Sequence, residues 1–241
     1  HISNIIKLSE NEEVICAIPV SNFDNKIDIS IVSKNGMIKK TNLSDFKVSR
    51  YSKPISCMKL KDGDFVINAF LVNYDDIFVS TYNGYGLWFD ISEVPSSGIK
   101  SSGVKAINLK DDFVVSASIF DKNKEYVTIF TNNRTAKRVR LEEFEKSSRA
   151  RRGLLLLREV KTNPYKVIKT FIVDNHDYFG IKVGNTISSF KSTEIPIADR
   201  YKTGSTISKD DIDDVFISKS LEEKVLNVNT EPEEEVEVLE S

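Results

Sequence analysis

A cluster of arginines is the part of this 241-residue sequence best suited to bind a charged ligand. Three of them, Arg149, Arg151 and Arg152, fall within four residues of a turn-like segment. The chain has nine arginines, and seven of these lie between Arg134 and Arg158. A guanidinium is planar, permanently charged, and donates hydrogen bonds in a fork that matches two phosphate oxygens. The cluster therefore predicts phosphate binding, although a single basic triplet is more often a solvated loop.

The net charge of −2 conceals a basic sector. Residues 219–241 hold eight glutamates against two lysines, and without them residues 1–218 carry a net charge of +4. Residues 134–166 alone carry +7. Charge concentrated in this way favours an anionic partner such as nucleic acid, and it gives the chain an acidic tail.

The length allows one large all-β domain or two smaller ones, with ample apolar content for a core. Composition favours strands, because β-branched and aromatic residues stand in short runs punctuated by Asn, Asp, Gly and Ser. No apolar run approaches the ~20 residues of a transmembrane helix, and no signal peptide is visible. Because the first residue is His1, we expect a fragment of a longer protein. Cys16 and Cys57 stand in apolar, strand-like contexts, which predicts two buried thiols and gives a disulfide no support.

The sequence repeats. Four alternating segments each end in an Asn/Gly turn, which supplies the positive φ of a tight hairpin. A second strand follows each turn, at residues 37–41, 85–90, 135–140 and 187–191. The turn asparagines are spaced 48, 50 and 52 residues apart, at Asn35, Asn83, Asn133 and Asn185.

A Leu-Lys-Asp landmark follows in each unit. Residues 59–67 and 108–115 match closely, 207–217 is a looser copy, and 156–167 is a longer one, while 5–15 is the same landmark without its preceding unit. The repeats run about 14–64, 65–112, 113–164 and 165–213, with half-repeats at both ends. A period of ~50 residues with four strands is typical of propeller blades. A β-sandwich or two stacked β-domains would explain the strand spacing but not the self-similarity.

Acidic residues recur at this landmark, which favours turn chemistry over an acid/base pair, with calcium binding as the weaker alternative. They are Asp62, Asp64, Asp111, Asp112, Asp210, Asp211 and Asp213. The lone Trp88 and the aromatics Phe65, Phe113 and Phe130 are interpreted as core.

Each repeat also has a short basic loop between its second hairpin strand and the landmark, at residues 49–55, 97–104, 147–154 and 199–205. A ring repeats its loops at equivalent positions, so the four should lie on a common outer rim. Basic residues on neighbouring strands would broaden that track. The candidate DNA-binding residues are Arg149, Arg151, Arg152, Lys137, Arg138, Arg140, Arg134, Arg50, Lys53, Lys39, Lys40, Lys100, Lys105, Arg200 and Lys202.

No residues suggest catalysis. The chain has no zinc-ligand spacing, no Gly-rich phosphate loop and no Gly-x-Ser-x-Gly elbow, and His176 is interpreted as an exposed turn residue. We therefore predict no catalytic residue, metal or cofactor in this chain.

The ~50-residue repeats with an Asn-Gly hairpin, a basic loop with Gly and a Leu-Lys-Asp-Asp landmark resemble the C-terminal domains of type IIA topoisomerase A subunits, over residues 1–218. The gyrase branch carries a Gln-Arg-Arg-Gly-Gly-type box. Here Arg151, Arg152 and Gly153 fit it, whereas the flanking Gln and second Gly are missing and Leu154 stands in place of the latter. This departure favours the topoisomerase IV branch (ParC, or GrlA).

The resemblance implies a propeller-like β-pinwheel of about five four-stranded blades, closed or open, whose basic perimeter binds and bends duplex DNA. It implies a non-catalytic domain of an ATP- and Mg-dependent enzyme that decatenates and relaxes DNA with the topoisomerase IV B subunit (ParE). A bacterial, cytoplasmic, nucleoid-associated protein with no membrane contact is expected.

Two other functions stay open: a propeller scaffold that docks an acidic protein, and a propeller enzyme with its site in the central channel. The acidic tail at 219–241 is interpreted as a solubilising, partly disordered segment. The sharper hypothesis is that it competes with DNA for the basic rim.

Overall fold

A computed structural model describes residues 8–10, 12–24, 26–48 and 54–218. In these residues the chain forms short strands and four 3₁₀ helices, Leu43–Phe46, Ile91–Glu93, Leu141–Glu143 and Ser192–Glu194. The strands are β1 Asp28–Ser33, β2 Met37–Asn42, β3 Val66–Leu71, β4 Asp76–Thr81, β5 Tyr85–Asp90, β6 Val104–Lys105, β7 Val114–Phe120, β8 Tyr126–Thr131, β9 Thr135–Arg140, β10 Leu154–Leu155, β11 Val167–Val173, β12 Tyr178–Val183, β13 Thr186–Lys191, β14 Ser205–Thr206 and β15 Asp214–Ser218.

The strands form four small antiparallel sheets, with orders β3-β1-β2-β6, β10-β5-β4-β7, β11-β8-β9-β14 and β13-β12-β15. Each sheet contains one of the four hairpins that the Asn/Gly turns predict, at the centre of the four-stranded sheets and at one side of the three-stranded sheet. The all-β, propeller-like fold is therefore confirmed, with four blades in the described residues. The half-repeats at the two ends of the sequence predict about five.

Neighbouring repeats share strands. The first sheet takes β1 and β2 from one repeat, and it takes β3 and β6 from the next. The second and third sheets are built in the same way from the following repeats. A sheet therefore cannot form from one sequence repeat alone, and successive blades are tied together by the chain itself.

In the first three sheets, one edge strand packs against neighbouring sheets and the opposite edge faces outward. Strand β7 packs between β3 and β11. Asn68 Nδ2 donates to Ala117 O at 2.9 Å, and the Thr170 amide donates to Ser116 Oγ at 3.0 Å. The two-residue strands β6, β10 and β14 occupy the opposite edge, so the loops leading into them lie at the perimeter.

Apolar side chains fill the spaces between adjacent sheets in three clusters. Phe130 is fully buried, as predicted, and burying such a ring stabilises the fold by about 1.5–3 kcal/mol. Trp88 packs at the border of the second cluster. Phe65 is 59% exposed, so its assignment to the core was wrong. The two thiols were also misassigned, because Cys16 is exposed, Cys57 is half-buried and both lie outside the strands.

The landmark aspartates hold the hairpin turns, which explains why the two motifs recur together. Asp64 accepts from the hydroxyl of Ser33 and from the amide of Asn35, both at 2.8 Å. One repeat later, Asp112 accepts from the amide of Asn83 at 2.9 Å. The turn interpretation is confirmed. In the part of the chain that the structure describes, no group of His, Cys, Asp or Glu could hold a metal ion.

None of the helices in these described ranges is long and apolar enough to cross a membrane. The acidic tail at 219–241 lies outside the described residues, so its competition with DNA stays a prediction.

Candidate nucleic-acid interface

Three edge loops, residues 97–103, 147–153 and 198–204, run along the outer edges of the first, second and third sheets. We call the second of these the arginine loop. Each loop ends at a glycine with positive φ: 76° at Gly103, 82° at Gly153 and 90° at Gly204. A Cβ at these glycines would collide with the backbone carbonyl of the strand beneath. Glycine is required because only it combines that φ with such a close approach.

Each edge loop is joined to the segments that flank the preceding loop. Arg149 of the arginine loop donates to Glu93 O, in the 3₁₀ helix before loop 97–103, and to Lys105 O, in the strand after it, both at 3.0 Å. The same joint recurs one repeat later, where Arg200 donates to Leu155 O, in the strand after the arginine loop, at 3.2 Å. The three loops therefore follow one another in a row along the perimeter, linked through their flanking segments. The fourth predicted loop, 49–55, lies mostly outside the described residues, and so do its candidate residues Arg50 and Lys53.

Buried lysines fasten two of the edge loops from below. Lys39 is fully buried, and its ammonium donates to Gly98 O at 2.7 Å and to Ile99 O at 2.8 Å. Lys137 is 1% exposed and donates to the corresponding carbonyls of Asp199 and Arg200. Burial lowers the pKa of Lys39 and lowers that of Lys137 to about 7. Both lysines organise the loops from inside.

Arg138 is likewise buried. Its guanidinium donates to Ile195 O at 2.8 Å and to Asn175 Oδ1 at 2.7 Å, and it stacks over the Tyr126 ring. The placement of Lys39, Lys137 and Arg138 on an exposed basic track is corrected, because their charged groups bond to protein carbonyls and cannot reach a phosphate. The repeated sequence itself indicated that this strand position is buried. Buried Leu87 occupies the position of Lys39 and Lys137 in the second repeat.

The other candidate DNA-binding residues in the described chain are exposed or half-buried. Arg151 is exposed on the arginine loop, and its guanidinium donates to Ser148 Oγ of the same loop at 3.4 Å. Arg134 lies at the third hairpin turn, outside the edge loops, and its guanidinium donates to Lys209 O. The exposed candidates are Lys100, Lys105, Arg134, Arg140, Arg151 and Lys202, and the half-buried ones are Lys40, Arg149, Arg152 and Arg200.

Three cations beside the arginine loop were missed from the sequence. Arg158, Lys161 and Lys166 belong to the long copy of the landmark, and they line one groove together with Arg152. They lie in the +7 stretch at 134–166. That charge density was the available signal, but they were not assigned because they fall outside the loops.

Three segments of the repeated sequence match a known protein family. A family model described as DNA gyrase C-terminal domain, beta-propeller, matches residues 28–73, 75–121 and 125–174, which together exceed half of the chain. The chain belongs to this family. The matched segments contain the hairpins of the first three sheets and the edge loops 97–103 and 147–153, whereas loop 198–204 lies beyond them.

Curated relatives carry the same pattern. The A subunit of DNA topoisomerase 4 from Bacillus subtilis is 40% identical over 209 residues, which cover 85% of this chain and 26% of that protein. The Staphylococcus epidermidis protein of the same name is 31% identical over 218 residues, covering 89% and 27%. The chain thus spans about a quarter of the length of these relatives.

Solved structures of this family have the same fold. A C-terminal domain of DNA topoisomerase IV superposes with a TM-score of 0.87 at 34% identity, covering 95% of this chain and 75% of the other. A DNA gyrase A C-terminal domain gives a TM-score of 0.77 at 19% identity, with coverages of 89% and 73%. At the latter identity the similarity shows the fold alone.

Proposed function

We propose that this chain is the DNA-binding and DNA-bending domain of a topoisomerase IV A subunit, and that it holds duplex DNA along the row of edge loops. The observation that carries the proposal is the row itself. The three linked loops and the strand that follows the first of them present exposed cations that lack a carboxylate partner in the described chain: Lys100, Lys105, Arg151 and Lys202. Membership of the gyrase C-terminal domain family supports the same conclusion.

The contacts suit the phosphate backbone and carry no base readout. Lysine and arginine side chains on flexible stems neutralise phosphates and release counterions whatever the sequence. The loops themselves are held firmly, by Gly153 and Arg149 in the arginine loop and by Lys39 and Lys137 beneath its neighbours. A firm row that extends over three successive sheets would bend the duplex that it binds. Bending ~20–30 base pairs costs on the order of 1–6 kcal/mol, so several loops must bind at once.

In the full-length protein this domain would be non-catalytic. It would position a DNA segment for strand passage during decatenation and supercoil relaxation by the ATP- and Mg-dependent enzyme. The catalytic machinery and the contact with the topoisomerase IV B subunit would belong to the remaining three quarters of the relatives' length. A cytoplasmic protein working at the nucleoid fits this role.

Salt-dependent DNA titration tests the proposal. With about five phosphates contacted, the logarithm of the binding constant for a duplex of ~40 base pairs should fall against log salt with a slope of about −4 to −5. Arg151→Ala should reduce the slope by about 0.9, because one phosphate contact is lost.

A matched control is Lys122→Ala, which removes an exposed lysine from the turn between β7 and β8, outside the edge loops. It should leave the slope and the affinity unchanged. A slope near zero, or equal effects of Arg151→Ala and Lys122→Ala, would refute the edge loops as the DNA site. Bending is read separately, from energy transfer between dyes at the two ends of the duplex, which should rise on binding.

A further inference from the structure

A basic groove opens beside the arginine loop, where the third repeat carries its longer landmark. The groove has a volume of about 550 Å³ and is lined by Arg152, Arg158, Lys161 and Lys166, with Glu159 as the carboxylate among its lining residues. A second hollow of about 770 Å³ adjoins it through Arg158 and continues to Lys202, with Asp199 as the carboxylate in its lining. We call the two together the insertion groove. It joins the arginine loop, through Arg152, to the next edge loop, through Lys202.

The insertion that forms the groove is anchored at both ends. Leu157 is 4% exposed and packs near Gly84. At the other end, Asn132 and Lys166 form a reciprocal pair, since the amide of each donates to an oxygen of the other, at 2.8 and 2.9 Å. The Lys166 ammonium also donates to Asn83 Oδ1. The segment between these anchors therefore projects from a fixed base.

Two exposed cations of the insertion are unpaired in the described part of the fold. Arg158 and Lys161 are exposed, and neither forms an ion pair or a side-chain hydrogen bond with any residue in the described ranges. Arg152 stacks over the Tyr85 ring at 3.9 Å, which holds its guanidinium at the groove without neutralising it. Uncompensated cations that converge on one hollow attract an anion.

The geometry points to a phosphate site for duplex DNA in the insertion groove, with Arg158 and Lys161 holding the backbone of the stretch that passes from the arginine loop to loop 198–204. This inference rests on the proposed function and adds to it a contact outside the edge loops. A duplex that lies across both loops must pass over the groove between them. Two further phosphate contacts would then make the third repeat the strongest part of the row.

The double variant Arg158→Ala/Lys161→Ala tests the site in titrations with a ~40-base-pair duplex. Its salt slope should be shallower than that of the unchanged protein by about 1.8, and its affinity about tenfold or more lower at ~0.1 M salt. The matched control is Lys122→Ala/Lys182→Ala, which removes two exposed lysines that no carboxylate in the described residues pairs with. It should bind as the unchanged protein does. Thermal unfolding of each variant checks that the fold is retained.

A photo-crosslinking side chain gives a second, position-specific reading. Placed at Thr162, within the insertion, it should crosslink to bound duplex, whereas at Asn123 in the β7–β8 turn it should not. If Arg151→Ala weakens binding while the double variant matches its control, the groove is not a DNA site although the edge loops are. If neither variant alters binding, the proposed function itself fails. Absence of crosslinking at Thr162 would also overturn the groove site.

Discussion

Leu87 occupies in the second sheet the position that Lys137 occupies in the third. Each is the third residue of its strand, and each is buried beneath an edge loop. Where the ammonium of Lys137 binds loop carbonyls, Leu87 instead lines a cavity of about 260 Å³ under the arginine loop. Among the edge loops that the structure describes, the most basic one is therefore the one without a lysine beneath it. It depends on Arg149 and Gly153 for its position.

Lys137 should make stability depend on pH. Its pKa is lowered by burial from 10.5 to about 7, so between these values the unfolded chain binds more protons than the folded one. Stability then rises with pH across this window. In Lys137→Met this contribution is gone. We expect the free energy of unfolding of the unchanged protein, minus that of the variant, to increase from pH 7 to pH 10 in urea titrations. A difference that stays constant with pH would contradict it.

Gly153→Ala should displace the arginine loop. The added Cβ would meet Gly86 O, and the residue has a φ of 82°, which alanine adopts at a cost of about 1–3 kcal/mol. We expect a lower melting temperature together with weaker DNA binding. Gly98→Ala is the matched control in the preceding edge loop, because a Cβ there meets nothing within 4 Å. Equal melting temperatures for the two variants would show that the close approach does not hold the loop.

Asp64→Ala should destabilise the first hairpin. The carboxylate accepts from the Ser33 hydroxyl and the Asn35 amide, and its loss leaves these donors without their partner at a cost of about 1–3 kcal/mol. Chemical denaturation measures the loss. Asp62→Ala, two residues earlier in the same turn, removes an exposed carboxylate and should change stability by less than about 0.5 kcal/mol.

Arg149 and Arg151 should separate stability from binding. Arg149 bridges Glu93 O and Lys105 O, so Arg149→Ala should lower the free energy of unfolding by about 1–3 kcal/mol. Arg151→Ala removes an exposed group and should leave stability within about 0.5 kcal/mol while weakening DNA binding. The pair is measured by thermal unfolding and DNA titration side by side. Similar losses of stability in both variants would refute the bridging role of Arg149.

Repetition made much of the architecture predictable. The turns at Asn35, Asn83, Asn133 and Asn185 located four hairpins, because Asn and Gly favour tight turns with positive φ, although Arg134 takes the positive-φ position in the third turn. The landmark aspartates recur with the same period, which predicted a turn role for them, although Asp64 and Asp112 bind hairpin turns that lie about 30 residues earlier in the chain. The exposure of Phe65 could not be predicted in this way, because the sequence does not show whether a neighbouring segment packs over an apolar side chain.

The sequence by itself determined the four hairpins, the recurring glycine loops and the concentration of positive charge at 134–166, because each depends on local conformation or composition. Only the tertiary structure decided which charges face solvent. Lys137 and Arg151 look alike as basic residues, yet one lies under a loop on backbone carbonyls and the other projects from a loop. The difference arises because each outer strand comes from the next repeat. A segment ~50 residues away therefore determines whether a given residue is buried. The local sequence pattern around that residue does not show this.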